Sequence, residues 1–291
     1  MQHRALVLGG GGVTGVAWEL GLIAGLAAEG VDLAAADMII GTSAGSVVGA
    51  DIASGEEPEE LYLRQLEPPA GEIPARMGVG LLARWAWIFL TTPDPVRTRR
   101  RIGKLALAAR TVPEAERRKV FETRLTKHDW PAHPLKVTAI DAVTGEFVLF
   151  DAAGDASLLD AVGASCAVPG VWPPVTIAGR KFIDGGMRSS ANADLAAGYQ
   201  RVVIIAPLPR GTKRMPGPYQ QAKALVAGGA QVVVVSPDKA AAAAIGRNVL
   251  DPARRAPAAR AGRTQAALVA DQVRAVWLAD DGLADSLPAE G

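Results

Sequence analysis

The sequence predicts an α/β fold in three layers, α/β/α, with a mostly parallel central sheet, and three observations predict it. Short aliphatic or β-branched runs recur at 5–8, 38–40, 136–140, 201–206 and 231–236, separated by alanine-rich helical stretches. The first two runs each end in glycine and pass straight into a helical segment, the unit from which a parallel sheet is covered on both faces. The runs at 201–206 and 231–236 are almost wholly apolar, as strands buried on both faces are.

The first strand, 5–8, is followed by Gly9-Gly10-Gly11-Gly12-Val13-Thr14-Gly15 and a predicted helix from about Val16 to Ala28. Backbone amides at a helix N-terminus have no intrahelical partner, and glycines let an anion approach them. In a hydrolase that anion is the oxyanion of a tetrahedral intermediate, with the amides of Gly10, Gly11 and Gly12 as candidate donors. The same letters spell G-x-G-x-x-G, from Gly10 to Gly15, so dinucleotide binding competes. That fold needs an acid closing the second strand to hold the ribose. Here the nearest acid, Asp37, precedes the second strand, and the strand ends in Gly41-Thr42-Ser43. Nucleotide binding is therefore disfavoured. The loop's plainest role is close packing of helix on strand.

The second strand, 38–40, leads into Gly41-Thr42-Ser43-Ala44-Gly45, a G-x-S-x-G, and then the small-residue run 46–50. This is the context of a nucleophile elbow, in which the serine sits on a sharp, strained bend and a flanking side chain would clash. Ser43 is the candidate nucleophile; the structural alternative is a helix N-cap serine.

Between 71 and 110 the composition changes. An aromatic, apolar stretch, 81–90, precedes Pro93-Asp94-Pro95 and the basic residues Arg97, Arg99, Arg100, Arg101 and Lys104. The pair could form a lid or a patch for transient contact with a membrane surface. The favoured expectation is that the aromatic helix is core and the arginines are its solvated neighbours.

The strands 136–140 and 146–150 flank Thr144-Gly145 as a hairpin, and 180–183 precedes Asp184-Gly185-Gly186. A serine nucleophile needs a proton acceptor, usually histidine. The chain has only His3, ahead of the first strand, and His128 and His133 in a polar loop. None stands at a strand end beside a glycine turn, so a Ser43–Asp184 dyad is the better reading than a triad. An ordinary aspartate, with a pKa of about 3.9, is a poor base at neutral pH, so Asp184 must be buried. The plain alternative is an aspartate capping a turn. Residues 252–279 read as a long surface helix with Val273 and Trp277 facing in, and the end after Asp280 as frayed.

Taken in order, the glycine loop, G-x-S-x-G and D-G-G resemble the signatures of the patatin-like phospholipases. The segment Ala164-Ser165-Cys166-Ala167-Val168-Pro169-Gly170-Val171-Trp172-Pro173-Pro174 is similar to that family's stretch ahead of its catalytic aspartate, and Asn192 stands where the family often has asparagine. The resemblance covers about 4–206. It implies Ser43 as nucleophile, Asp184 as proton acceptor, the Gly10, Gly11 and Gly12 amides as oxyanion donors, and Gly15, Gly41, Gly45, Gly185 and Gly186 as supports. It implies a lipid or acyl-ester substrate, with a non-catalytic lipid-binding protein as the alternative. Thr14 stands where the family's loop commonly carries a basic residue, which puts a preference for phosphate-bearing substrates in question.

Composition agrees with one sizeable domain over 1–291: 49% of the residues are apolar and the net charge is +1. That charge argues against a nucleic-acid partner. A single cysteine, Cys166, excludes an internal disulfide, suits a reducing compartment and reads as a packing residue. With three scattered histidines it builds no metal site, and no cofactor is implied. No N-terminal stretch resembles a signal peptide and no apolar run reaches the roughly 18 residues that span a bilayer, so the expected location is cytoplasmic, peripheral to the inner membrane face if 71–110 touches lipid.

Overall fold

A computed structural model describes residues 4–68, 71–212 and 215–279; His3 and the end beyond Asp280 lie outside the described residues. In chain order the elements are β1 (Arg4–Leu8), α1 (Gly12–Ala28), β2 (Met38–Gly41), α2 (Ala44–Ala53), α3 (Pro58–Leu66), α4 (Val79–Thr91), α5 (Pro95–Ala108), α6 (Glu114–Arg124), β3 (Leu135–Asp141), β4 (Phe147–Phe150), α7 (Leu158–Ser165), β5 (Val175–Ile177), β6 (Arg180–Asp184), β7 (Arg201–Ile205), α8 (Pro218–Ala227), β8 (Gln231–Val235), α9 (Lys239–Ile245) and α10 (Arg255–Trp277). Helix α1 begins at Gly12, not at Val16 as expected, because the glycines themselves take up the first helical turn.

One sheet runs in the order β5, β6, β3, β2, β1, β7, β8, with β4 on β3. Strands β3, β2, β1, β7 and β8 are mutually parallel, while β4, β5 and β6 are antiparallel to their neighbours. In β1 the residues alternate between two cores. Leu6 and Leu8 pack with α1, α2, α7 and α10, while Ala5 and Val7 pack with the segment 191–199 and α8. A central strand covered on both sides is apolar on both faces, and this is why its sequence is a continuous run.

Register sets the position of the site. Leu8 pairs with Gly41 of β2, so the loops that leave β1 and β2 emerge together at the carboxyl edge of the sheet. Gly41 pairs with Val137, and two residues further along β3, Ala139 pairs with Asp184 of the antiparallel β6. Ser43, two residues past Gly41, therefore lies at the level of Asp184. Open α/β sheets place their ligand sites at this edge.

Helix α10 is more deeply embedded than a surface helix. Its face of Ala258, Ala259, Gly262, Ala266, Ala270, Val273 and Trp277 is buried against α1. The two backbones approach so closely that a Cβ on Gly21 would collide with the Ala259 carbonyl, and one on Gly262 with that of Trp18.

Helix α4 overturns the favoured expectation that it is core. Of its residues only Ile88 is buried, while Val79, Trp87 and Leu90 are 83%, 64% and 75% exposed. The physical reason is geometric: α4 packs by one stripe, with Ile88 and Phe89 meeting Ile102 and Leu105 of α5, and nothing among the described residues covers its other side. Of the five basic residues that follow, Arg99 donates to the Gly145 carbonyl (2.8 Å) and Arg101 to the hydroxyls of Thr91 and Thr92, while Arg97, Arg100 and Lys104 are exposed. Among the described residues no helix is long and apolar enough to cross a membrane.

Candidate active site

The elbow is built by backbone collisions that only glycine avoids. A Cβ on Gly41 would sit 2.5 Å from Ser46 Cα, and one on Gly45 would collide with the Leu8 carbonyl. Between them Ser43 adopts φ 52° and ψ −116°, a strained conformation for a residue with a side chain. The strain is held by four contacts. The Ser43 amide donates to Ser165 Oγ (2.8 Å), and its carbonyl accepts from Ser46 Oγ (2.7 Å) and Cys166 Sγ (3.2 Å). The Gly45 amide donates to the Gly9 carbonyl (2.9 Å), fastening the elbow to the glycine loop.

Ser43 Oγ donates to Asp184 Oδ2 at 2.8 Å. Asp184 is 4% exposed and its other oxygen accepts from the Gly186 amide (2.7 Å). Burial pushes its carboxyl up to about 7, against the smaller opposing effects of the Gly186 amide and the Ser43 hydroxyl. The requirement that the sequence imposed on this aspartate, a dry environment, is thus met. Gly185 must be glycine because a Cβ there would collide with Thr138 Oγ1.

A polar clasp joins the elbow to the aspartate turn. Thr42 Oγ1 accepts from Thr138 Oγ1 (2.9 Å) and from Asn192 Nδ2 (3.0 Å), and Asn192 Nδ2 also reaches the carbonyls of Gly185 (3.3 Å) and Ser189 (3.0 Å). These groups are fully buried, so each unmet bond would cost about 1–3 kcal/mol.

The glycine loop requires one correction. The Gly10 amide donates to the Ser190 carbonyl at 2.7 Å, so it ties the loop to the 189–192 segment and is not free for an oxyanion. The amides of Gly11 and Gly12 have no partner among the described residues, and neither has that of Ala44, the first residue of α2. Gly12 has φ +61°, and a Cβ on Gly11 would meet the Pro207 ring at 2.5 Å. Gly15 is less constrained: a Cβ there finds Ala44 and Pro207 at 3.4 Å, ordinary contact. Thr14 is buried and bound through its hydroxyl (3.2 Å) and amide (3.1 Å) to the Val249 carbonyl, so the usually basic position is a structural tie. Behind the loop, Glu19 is fully buried with one oxygen accepting from the Gly9 amide (3.1 Å), and burial raises its pKa well above the usual carboxylate value.

A model of the patatin-like phospholipases matches residues 6–197. The chain belongs to that family. The patatin-like segment contains the glycine loop, the elbow and the Asp184 turn, and it ends before β7. Among solved structures, the chain is similar to VipD from Legionella pneumophila, with 14% identity, 94% of this chain and 67% of that one covered, and a TM-score of 0.47. It is also similar to the type III effector ExoU, with 17% identity, 94% and 53% coverage and a TM-score of 0.42, so it spans about half of ExoU's length. No curated protein matches.

Several residues around the patatin-like motifs were not singled out by the sequence. The Ala44 amide adds a third free donor, and a nucleophile elbow supplies one from the residue after its serine. Ser165 was legible only as part of a similar stretch, and its hydroxyl orients the Ser43 amide. Thr138 lies in an ordinary strand and carries no signal. Cys166 is buried, as expected of a packing residue, and burial raises its thiol to about 11. His128 is exposed, with its Nε2 3.0 Å from the Glu122 carbonyl, and neither it nor His133 lines the cavity at Ser43.

Proposed function

We propose that this protein is a serine-dependent lipid acyl hydrolase of the phospholipase A or lysophospholipase kind, working through a Ser43–Asp184 dyad. The observation that carries this reading is the 2.8 Å bond from Ser43 Oγ to a carboxyl buried enough to titrate near neutrality. In acylation, Ser43 Oγ attacks the ester carbonyl and its proton passes to Asp184 Oδ2. The oxyanion takes the amides of Gly11, Gly12 and Ala44. The tetrahedral intermediate then expels the alcohol, which carries away the proton from Asp184. Water, deprotonated by Asp184, next attacks the acyl-Ser43 ester; the second intermediate releases the fatty acid as Asp184 returns the proton to the departing Ser43 Oγ.

The exposed apolar stripe of α4 supports work at a lipid surface. Leu81 of α4 and Leu105 of α5 lie against Gly170, two residues before Trp172, which lines the Ser43 cavity. A lipid surface engaging Val79, Trp87 and Leu90 would meet the side of α4 turned away from its buried stripe, with the exposed Arg97, Arg100 and Lys104 of the following helix available to anionic head groups.

Hydrolysis of p-nitrophenyl esters of increasing acyl length, with fluorophosphonate labelling, tests the reading. Ser43→Ala and Asp184→Asn should each lose at least about 10³-fold in kcat, and only proteins retaining Ser43 should carry the label. An inert, unlabelled wild type would favour lipid binding without turnover.

A further inference from the structure

Arg117 of α6 is an unusual arginine. It is 6% exposed, yet no carboxylate or carbonyl accepts from any of its nitrogens among the described residues, and its Nε is buried without a partner. A buried charge is normally paired, because leaving water without a partner costs several kcal/mol. The guanidinium instead lies between two rings, its carbon 3.8 Å from the centre of Trp172 and 4.8 Å from that of Phe121. Burial, with Arg124 nearby, lowers its pKa only to about 10, so it stays charged at neutral pH.

Its location gives the free donors a use. Arg117 and Arg124 line the same small cavity, about 30 Å³, as Ser43, Gly12 and Ala44. Arg124 is paired with Glu72 (2.6 Å), which leaves Arg117 as the cation there without an ion-pair partner among the described residues. The oxyanion already has amide donors, so the guanidinium is available to a second anionic group a short distance from the scissile ester. In a glycerophospholipid the phosphate stands only a few bonds from the ester oxygen. A planar fork of N–H donors, set against two aromatic rings, fits a phosphate with two parallel bonds.

We infer that Arg117 is a specificity-determining residue that receives the phosphate of the substrate's head group in the Ser43 cavity. The inference rests on the hydrolase reading for its substrate. It also answers the question raised by Thr14: the cation at this site comes from α6 instead of the glycine loop.

The test compares a short-chain phosphatidylglycerol with the diacylglycerol of the same acyl length, for wild type, Arg117→Met and Arg117→Lys. Methionine keeps an apolar stem between the rings, and lysine keeps the charge but loses the fork. The ratio of kcat/KM for phospholipid over diacylglycerol should fall about 10- to 100-fold in Arg117→Met, mainly through KM, and by less in Arg117→Lys. Calorimetric titration with inorganic phosphate should give binding in wild type that Arg117→Met loses. A ratio unchanged in both variants, or an equal fall on both lipids, overturns the inference. Phosphate binding at Arg117 without any lipid preference does so too, because it makes the site one for free phosphate. If the methionine variant fails to melt cooperatively, the lysine variant carries the comparison alone. If wild type cleaves neither lipid, the inference falls with its substrate, while the p-nitrophenyl ester and fluorophosphonate assays decide the hydrolase reading separately.

Discussion

Asp184 is under two opposing demands, and both are measurable. As the base of the proposed dyad it must be ionised, so with a pKa of about 7 the rate of acylation should rise with pH through that value and level off above it. A kcat/KM profile for a soluble p-nitrophenyl ester should show one ionisation near 7; a plateau extending down to pH 5 would assign the proton transfer elsewhere. For stability the sign is reversed. The folded pKa lies above the unfolded value of about 3.9, so the folded state binds the proton more tightly. Its contribution to stability is fully present below about pH 4 and is lost as pH rises through about 7. The cost at pH 8 is at most about 4 kcal/mol, since each tenfold difference in proton affinity between the folded and unfolded carboxyl is worth about 1.4 kcal/mol. Asp184→Asn removes it, so the variant's Tm should exceed that of wild type at pH 8, and the gap should close towards pH 4. Asp51, also raised to about 7 by burial, titrates in both proteins and leaves that difference intact.

Among the elements, α4 departs furthest from what its composition suggests. A helix of this hydrophobicity would ordinarily be enclosed, and here one stripe is buried while the opposite one faces solvent. An exposed tryptophan and leucine on one side of a helix are costly to solubility, and the proposed contact with a lipid surface would give them a use. Trp87→Ser with Leu90→Ser should reduce co-sedimentation with anionic vesicles by roughly tenfold or more, since each large side chain transferred to lipid is worth about 1.5–3 kcal/mol. Because neither residue is buried, Tm should move by no more than about 2 °C. A clear fall in Tm with unchanged vesicle binding would mean that the stripe is a packing surface after all.

For the molecule as a whole, what was legible in the sequence is what the backbone forces. Gly41, Gly45 and Gly185 avoid collisions with Ser46, Leu8 and Thr138, so the turns carrying Ser43 and Asp184 are written in glycine patterns that any reader of the chain can find. The partner of the Gly10 amide, the free side of α4 and the unpaired Arg117 were not legible, because each depends on which distant segment packs there. The same dependence reaches the glycine loop from the C-terminal end. Val249 holds Thr14, Trp18 Nε1 donates to Gln265 (3.1 Å), and Trp277 Nε1 to the Asp32 carbonyl (2.7 Å). The patatin-like match ends at residue 197, yet β1 lies between β2 and β7, and α10 covers the face of α1 behind the glycines. A chain ending at residue 250 loses the buried Val273, Trp277 and four alanines of α10, and uncovers Trp18 and Leu22. At about 1.5–3 kcal/mol for each large side chain returned to water, the loss approaches the whole stability of a typical domain, about 5–15 kcal/mol. Such a chain should show no cooperative thermal transition and no labelling at Ser43. A truncated protein that melts within a few degrees of the full chain would mean that the sheet and α1 support the site without α10.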